Sequence, residues 1–268
     1  MQIKACPTPI IQQNESLETI CYTYLPPLKE RTILCVTSKI VSICEGRTVS
    51  RESTDKQRLI QQEADAWLLK DGALASKFPL TIIHNLLIPA AGIDESNSQE
   101  GGFILYPLDP FASAEKLWRH LREHFQINQL GVIFSDSHTT PLRRGTVGVA
   151  LSWCGFKPSK DYRGQPDLFG RPLQVTAVNI VDGLAAACVL MMGEGNEGTP
   201  LAVIEDLEDI VFLDIPPSEE DRKDLLIPAS EDIYAPLLRA ARWGRQTIAN
   251  PLLNDHVVRR RDSGFVTY

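Results

Sequence analysis

Three short loops hold most of the oxygen-bearing side chains that could do chemistry: GIDESN at residues 92–97, SDS at 135–137 and MGEGNEG at 192–198. Each follows an apolar stretch, so each falls where a strand or helix hands the chain to solvent. Carboxylates and hydroxyls are hard donors suited to magnesium or manganese, which keep part of their water shell. Taken singly, these loops have the composition of ordinary turns. They become a site only where the fold draws them together.

The SDS loop opens the segment SDSHTTPLRRGTVGVALSWCGF (residues 135–156), which follows the apolar run LGVIF. Its paired arginines, Arg143 and Arg144, suit the binding of a phosphate or a substrate carboxylate and are the candidate catalytic cations. Ser38 and Lys39 stand where the apolar TILCVT enters a helix-like stretch, a position whose free N–H groups and helix dipole favour anions. The plainer account is a serine N-cap beside a solvated lysine.

Several classes are excluded. The chain has no GxxxxGK[ST], so it is not a P-loop protein, and no GxGxxG follows a strand, so a Rossmann site is unsupported. No GxSxG elbow is present. His120–His124 spell HLREH, a zinc-peptidase pattern, but Leu117, Leu121 and Phe125 give that helix an ordinary apolar face. A net charge of −7 argues against a nucleic-acid partner or an anionic membrane surface. The six cysteines form no CxxC pair and read as reduced core residues. No run is long and apolar enough to span a bilayer, and MQIKACPTPII lacks the core of a signal peptide. A cytoplasmic location is expected.

The elements that must position these residues alternate irregularly. TILCVT (32–37) is a buried strand running into a short helix, SKIVSIC, with Gly46 as its C-terminal stop. From Ser53 a single helix is expected through Ile60, Ala64, Trp67 and Leu68. TIIHNLLI (81–88) reads as one strand before the loop AAGIDESNSQEGG, and Ser113 as the cap of helix AEKLWRHLREHF. LGVIFSD, TVGVALSW, PLQVTAVNI and PLAVIEDL read as strands, and Leu184 to Met191 as a helix stopping at Gly193. Beyond Pro216 and Pro217 the composition becomes charged and helical. The fold class is mixed α/β (α+β).

In order, the segments TSKIVSICEGR, AGIDESN, YPLDPFASAEKL, SDSHTTPLRRGTVGVALSWCG, DYRGQPDLFGRPLQVT and VDGLAAACVLMMGEG resemble the coenzyme F420-0:L-glutamate ligase family, from about Ile3 to Leu207. The resemblance implies a fold distinct from the common nucleotide-binding folds, forming an intertwined homodimer with active sites near the subunit interface. It assigns residues 1–212 to the ligase-like domain and leaves 213–268 as a C-terminal helical extension. The implied reaction is GTP-dependent: a carboxylate of the acceptor becomes an acyl phosphate, and the amine of L-glutamate displaces phosphate. Its partners are GTP, L-glutamate and a deazaflavin or pterin acceptor. Its ions are two divalent cations, Mg2+ or Mn2+, with K+ as a further ion.

Position by position, the resemblance makes Asp94, Asp136, Ser137 and Glu194 the metal ligands, with Ser137 where the family usually has threonine. Asn97 resembles a nucleotide contact. Thr8, Pro9, Ile10 and Ile11, Ser38 with Lys39, and Met192, Gly193, Gly195, Asn196, Glu197, Gly198 and Thr199 occupy positions that line the GTP pocket. Three positions depart from the family pattern. Ile43 stands for a lysine, Ala90 for an asparagine, and Gly183 for a glutamate. Three readings follow: a ligase acting on F420-0, the same chemistry on a folate, and a non-catalytic nucleotide- or metal-binding homologue.

Overall fold

The computed structural model describes residues 1–70, 73–74, 78–98, 101–245 and 266–267. The first half of the chain runs β1 (Gln2–Cys6), α1 (Leu17–Tyr24), β2 (Thr32–Thr37), α2 (Ser38–Cys44), β3 (Thr48–Val49), α3 (Lys56–Glu63), β4 (Ala66–Lys70), β5 (Ala73–Leu74), β6 (Leu80–Ile83), β7 (Leu86–Pro89) and β8 (Phe103–Ile104). Then follow α4 (Pro110–Phe125), β9 (Leu130–Thr139), β10 (Thr146–Cys154), β11 (Ser159–Asp161), β12 (Ala177–Asn179), α5 (Ile180–Met192) and β13 (Leu201–Glu205). The end holds α6 (Glu219–Arg222), α7 (Ala235–Ala240), β14 (Arg242–Arg245) and β15 (Val266–Thr267).

The main sheet has the order β1-β13-β2-β9-β10, in which only β2 and β9 are parallel. It is covered on both faces, which is why TILCVT is apolar throughout rather than alternating. Leu34 and Val36 of β2 join the core under α1 and α4 with Leu117, Trp118 and Leu121. Their neighbours Ile33 and Cys35 point the other way, to α5 through Leu184, Ala185 and Cys188. All six cysteines are free, and all but Cys44 are buried. A second sheet, β15-β14-β4-β6-β7 with β5 on β4, packs around Ile60, Ile83, Ile88 and Phe103. Leu151 of β10 joins that cluster and ties the two sheets together.

Several expected elements are redrawn. The single helix from Ser53 ends at Glu63, and Trp67 and Leu68 lie in β4. Strand partners on both sides capture them: Trp67 pairs with Thr81 of β6 and with Gly244 of β14. TIIHNLLI is a hairpin, because His84 and Asn85 take left-handed φ values of 49° and 62° and turn the chain in two residues. Helix α4 begins earlier than Ser113. Asp109 caps it by accepting from Ala112 N at 3.0 Å, with Pro110 in the first turn. Of PLQVTAVNI, only Ala177–Asn179 is a strand. Residues 99–100 of the loop after β7 lie outside the described residues.

The segment from 213 on holds α6 and α7, both short, and β14, which pairs with β4; residues 246–265 and 268 of the expected helical extension lie outside the described residues. HLREH sits on α4, where His124 stacks on Tyr22 and His120 Nδ1 meets Lys116 O at 2.8 Å.

Helix α5 lies close on β10 at Gly148, where an added Cβ would stand 2.5 Å from Ala185 O. Gly148→Ala is therefore expected to push α5 off the sheet. A loss of about 1–3 kcal/mol, as for other overpacked contacts, would show as a lower urea midpoint with an unchanged slope.

Candidate functional site

The parallel pairing of β2 with β9 ends at Thr37 and Ser135, where β2 turns into α2. Strand β9 does not stop at SDS as expected. It continues to Thr139, held only by β10, with Val149 opposite Asp136 and Gly148 opposite Ser137. One side of β9 is thus left open beyond Ser135. A cleft of about 550 Å3 lies there, at the carboxyl ends of the parallel pair, where open α/β sheets commonly bind ligands.

All three oxygen-rich loops reach this cleft. Its lining includes Thr8, Pro9, Ile10 and Ile11; Lys39; Asp94 and Asn97; Asp136 and Ser137; and every residue from Met192 to Thr199. Ser38 does not line it, being buried at the start of α2. Arg143 and Arg144 lie outside the lining too, exposed in the turn between β9 and β10. Thr37, Ile40, Ile43, Ser98, Ser135, Val189 and Pro200 complete the wall. The first wall is stitched to the last by Thr8 N donating to Gly198 O at 2.9 Å.

Each acid has its own setting. Asp94 follows three left-handed residues, Ala90, Ala91 and Gly92, and pairs with Ile104 through two backbone hydrogen bonds of 3.0 and 2.9 Å. Its carboxylate meets Lys39 Nζ at 2.6 Å and accepts from Ser96 N at 2.7 Å. Burial opposes its ionisation, but the Lys39 ammonium and the Ser96 donors prevail and hold its pKa below the usual range. Glu194 accepts from Ser137 Oγ at 3.2 Å and Thr146 Oγ1 at 3.3 Å. Asn97 Nδ2 donates to Gly195 O at 3.0 Å, joining the second loop to the third.

Asp136 keeps an edge toward the cleft, yet its carboxyl is packed deeply enough that desolvation raises its pKa from 3.8 to about 6. The Tyr106 hydroxyl, donating to Asp136 Oδ2, and Ser137 N oppose that rise; the Asp94 charge adds to it. Neither Tyr106 nor Thr146 stands out in the sequence as a site residue. A tyrosine in YPLDPF has the look of a core residue, and its partner lies on another strand.

The donors fit a hard divalent cation, and a buried carboxylate beside a second one gains from a nearby positive charge. Among the described residues no group of three or more His, Cys, Asp or Glu forms a complete cage. Magnesium-type binding needs only one or two carboxylates per ion, with the remaining positions filled by water and phosphate.

The departures differ in kind. Ile43 is in the lining, where a lysine would place a charge in the cleft itself. Ala90 is buried outside the lining at φ 54°, in the left-handed region where asparagine is at home. At Gly183 an added Cβ would meet open space.

The α/β scaffold gathers four carboxylates, hydroxyls and a lysine around one cleft, an arrangement suited to a charged small molecule. The sequence profile of the F420-0:Gamma-glutamyl ligase family matches residues 5–206, and the chain belongs to that family. It is 33% identical over 213 residues to the coenzyme F420:L-glutamate ligase of Archaeoglobus fulgidus, covering 74% of this chain and 84% of that one. To the ligase of the same name from Haloarcula marismortui it is 36% identical over 202 residues, 68% and 77% of the two chains. To that of Methanothermobacter thermautotrophicus it is 45% identical over 121 residues, 45% and 48% of the two.

Asp136 supplies a stability test. Its raised pKa means that the folded state binds more protons than the unfolded one between about pH 4 and pH 6, so stability falls as pH rises through that window. Asp136→Asn removes the charge. In metal-free buffer at pH 8 the variant should be the more stable, by roughly 1–2 kcal/mol after allowing for the exposed edge. At pH 4 the advantage should be gone, which chemical denaturation at the two pH values would check.

Proposed function

We propose that this chain is an acid–amino-acid ligase that joins L-glutamate, in γ-linkage, to the tail of coenzyme F420-0 with GTP as co-substrate. The observation that carries the reading is the convergence of Lys39, Asp94, Asp136, Ser137 and Glu194 on one cleft in a member of this family. In this reaction the γ-phosphoryl group passes to the acceptor carboxylate, forming an acyl phosphate. The glutamate amine then attacks the acyl carbon, the C–O bond to phosphate breaks, and the amine proton goes to solvent or phosphate. Amide, GDP and phosphate account for all atoms.

The chain's own groups have distinct tasks. Lys39 brings a positive charge to the end of the cleft where the acids lie, stabilising charge that builds on transferring phosphoryl oxygens. The apolar stretch Ile10, Ile11, Ile40 and Ile43 offers a dry surface for a base or ring. Asp94, Asp136, Glu194 and the Ser137 hydroxyl would hold Mg2+ or Mn2+, which neutralise polyphosphate charge and align the phosphoryl group. Arg143 and Arg144, at the tip of the β9–β10 hairpin, are assigned to substrate carboxylate or phosphate entering from the mouth.

A homodimer is part of the proposal. The β11–β12 hairpin carries Leu168, Phe169 and Val175 at 99%, 81% and 87% exposure, and an isolated two-stranded hairpin is marginal in water. A second copy of the chain supplies the missing cover.

Mass spectrometry of a competition assay tests the acceptor. Protein, GTP, Mn2+, K+ and L-glutamate are incubated with F420-0 and tetrahydrofolate together. A glutamyl adduct on F420-0 is the expected outcome. An adduct on folate alone would transfer the reading to a pterin acceptor and make Ile43, Ala90 and Gly183 marks of that change. No adduct on either would remove the ligase reading. Lys39→Met should lower kcat/KM at least a hundredfold, the scale of losing one charge-stabilising donor. GTP with Mn2+ at 100 times Kd should stabilise the wild type by about 2.7 kcal/mol, measurable as a rise in thermal midpoint.

A further inference from the structure

Tyr106 touches Asp136 and the turn that leads to Asp94 from behind the cleft. Its ring is buried among Ile88, Ala91, Ile93 and Leu105, and its one polar side-chain atom donates to Asp136 Oδ2. The same ring lies flat on Gly92, two residues before Asp94; a Cβ there would stand 2.1 Å from the ring. Two residues before Tyr106, Ile104 holds the Asp94 backbone through its two hydrogen bonds. The tyrosine backbone is itself anchored, since Arg47 Nε donates to Tyr106 O at 3.0 Å and Arg47 pairs with Glu63. One side chain thus links the strand that carries Asp136 to the turn that carries Asp94.

We propose that Tyr106 is a positioning residue that sets the spacing of Asp94 and Asp136 and turns Asp136 Oδ1 toward a divalent cation. The inference rests on the reading of these acids as cation ligands. The hydroxyl occupies Oδ2 and so leaves the other carboxylate oxygen for the cleft. The ring, wedged against Gly92, keeps the Asp94 turn from collapsing onto its neighbour. Outer partners of this kind commonly change metal affinity ten- to a hundredfold when removed.

Electron paramagnetic resonance of free Mn2+ during titration gives the test, with the full chain and a non-hydrolysable GTP analogue. Tyr106→Phe keeps the ring and loses the hydroxyl; Gly92→Ala keeps the hydroxyl and displaces the ring. Both are expected to weaken Mn2+ binding ten- to a hundredfold and to lower kcat, leaving the KM for glutamate within about twofold of wild type. Gly92 also lies at φ 67°, where any side chain strains the turn, so Tyr106→Phe carries the comparison and Gly92→Ala supports it. Ile60→Val, a small volume loss in the same apolar cluster that leaves Gly92 and the Tyr106 hydroxyl in place, controls for loss of stability and should leave Mn2+ affinity unchanged. A cooperative melt of each variant is checked first. If wild type binds Mn2+ and the folded site variants match it, the positioning role is overturned while the metal reading stands. If wild type binds no Mn2+, both fall together.

Discussion

The ending of the β2–β9 pairing at Thr37 and Ser135 is the constraint on which the site depends. Up to that point β9 has a neighbour on each side and its residues are apolar and buried. One residue later its open flank faces a cleft, and the polar residues begin. Asp136 and Ser137 point to opposite faces of the strand, as successive residues must. One reaches Tyr106 and the second apolar cluster; the other reaches Glu194 at the end of α5. A strand that outlasts its partner thereby serves two walls at once.

The electrostatics of the cleft work against the stability of the fold. Asp94 is settled by Lys39, but Asp136 ionises against its surroundings. Cores normally avoid such an arrangement, because a buried carboxylate without sufficient compensation is costly. Under the proposed reading a divalent cation would offset that cost, and the offset would appear as affinity for it. The same tension appears at Ala90, Ala91 and Gly92, where three consecutive left-handed residues, two of them alanines, are held by Thr81 Oγ1 and by Tyr106.

Much of this scaffold was legible from local pattern. TILCVT, LGVIF, TVGVALSW and PLAVIEDL are strands, and the helix ending at Gly193 is α5, because apolar runs bounded by turn residues leave little choice. The three loops were recognisable as candidates, though their meeting was not, since that is set by strand order. Local pattern failed where tertiary partners overrode it. Trp67 and Leu68 keep helical spacing from Ile60, yet β6 and β14 claim them as strand. Ser113 is a good cap by type, but its hydroxyl is engaged by Glu45 while Asp109 begins the helix. Arg143 and Arg144 have the chemistry of a site without lying in the cleft of this chain. Tyr106 and Thr146 were invisible because each acts through a partner far away in sequence.

The stitching of β1 to β13 has a consequence for the order of events during synthesis. Cys6 pairs across the sheet with Leu201, and Thr8 N donates to Gly198 O. A ribosome therefore releases the first cleft wall long before the last one exists. Until β13 emerges and slots between β1 and β2, both strands present unpaired edges, open to association with other chains. The cleft cannot be complete before residues 192–200 have been made, because they form one of its walls.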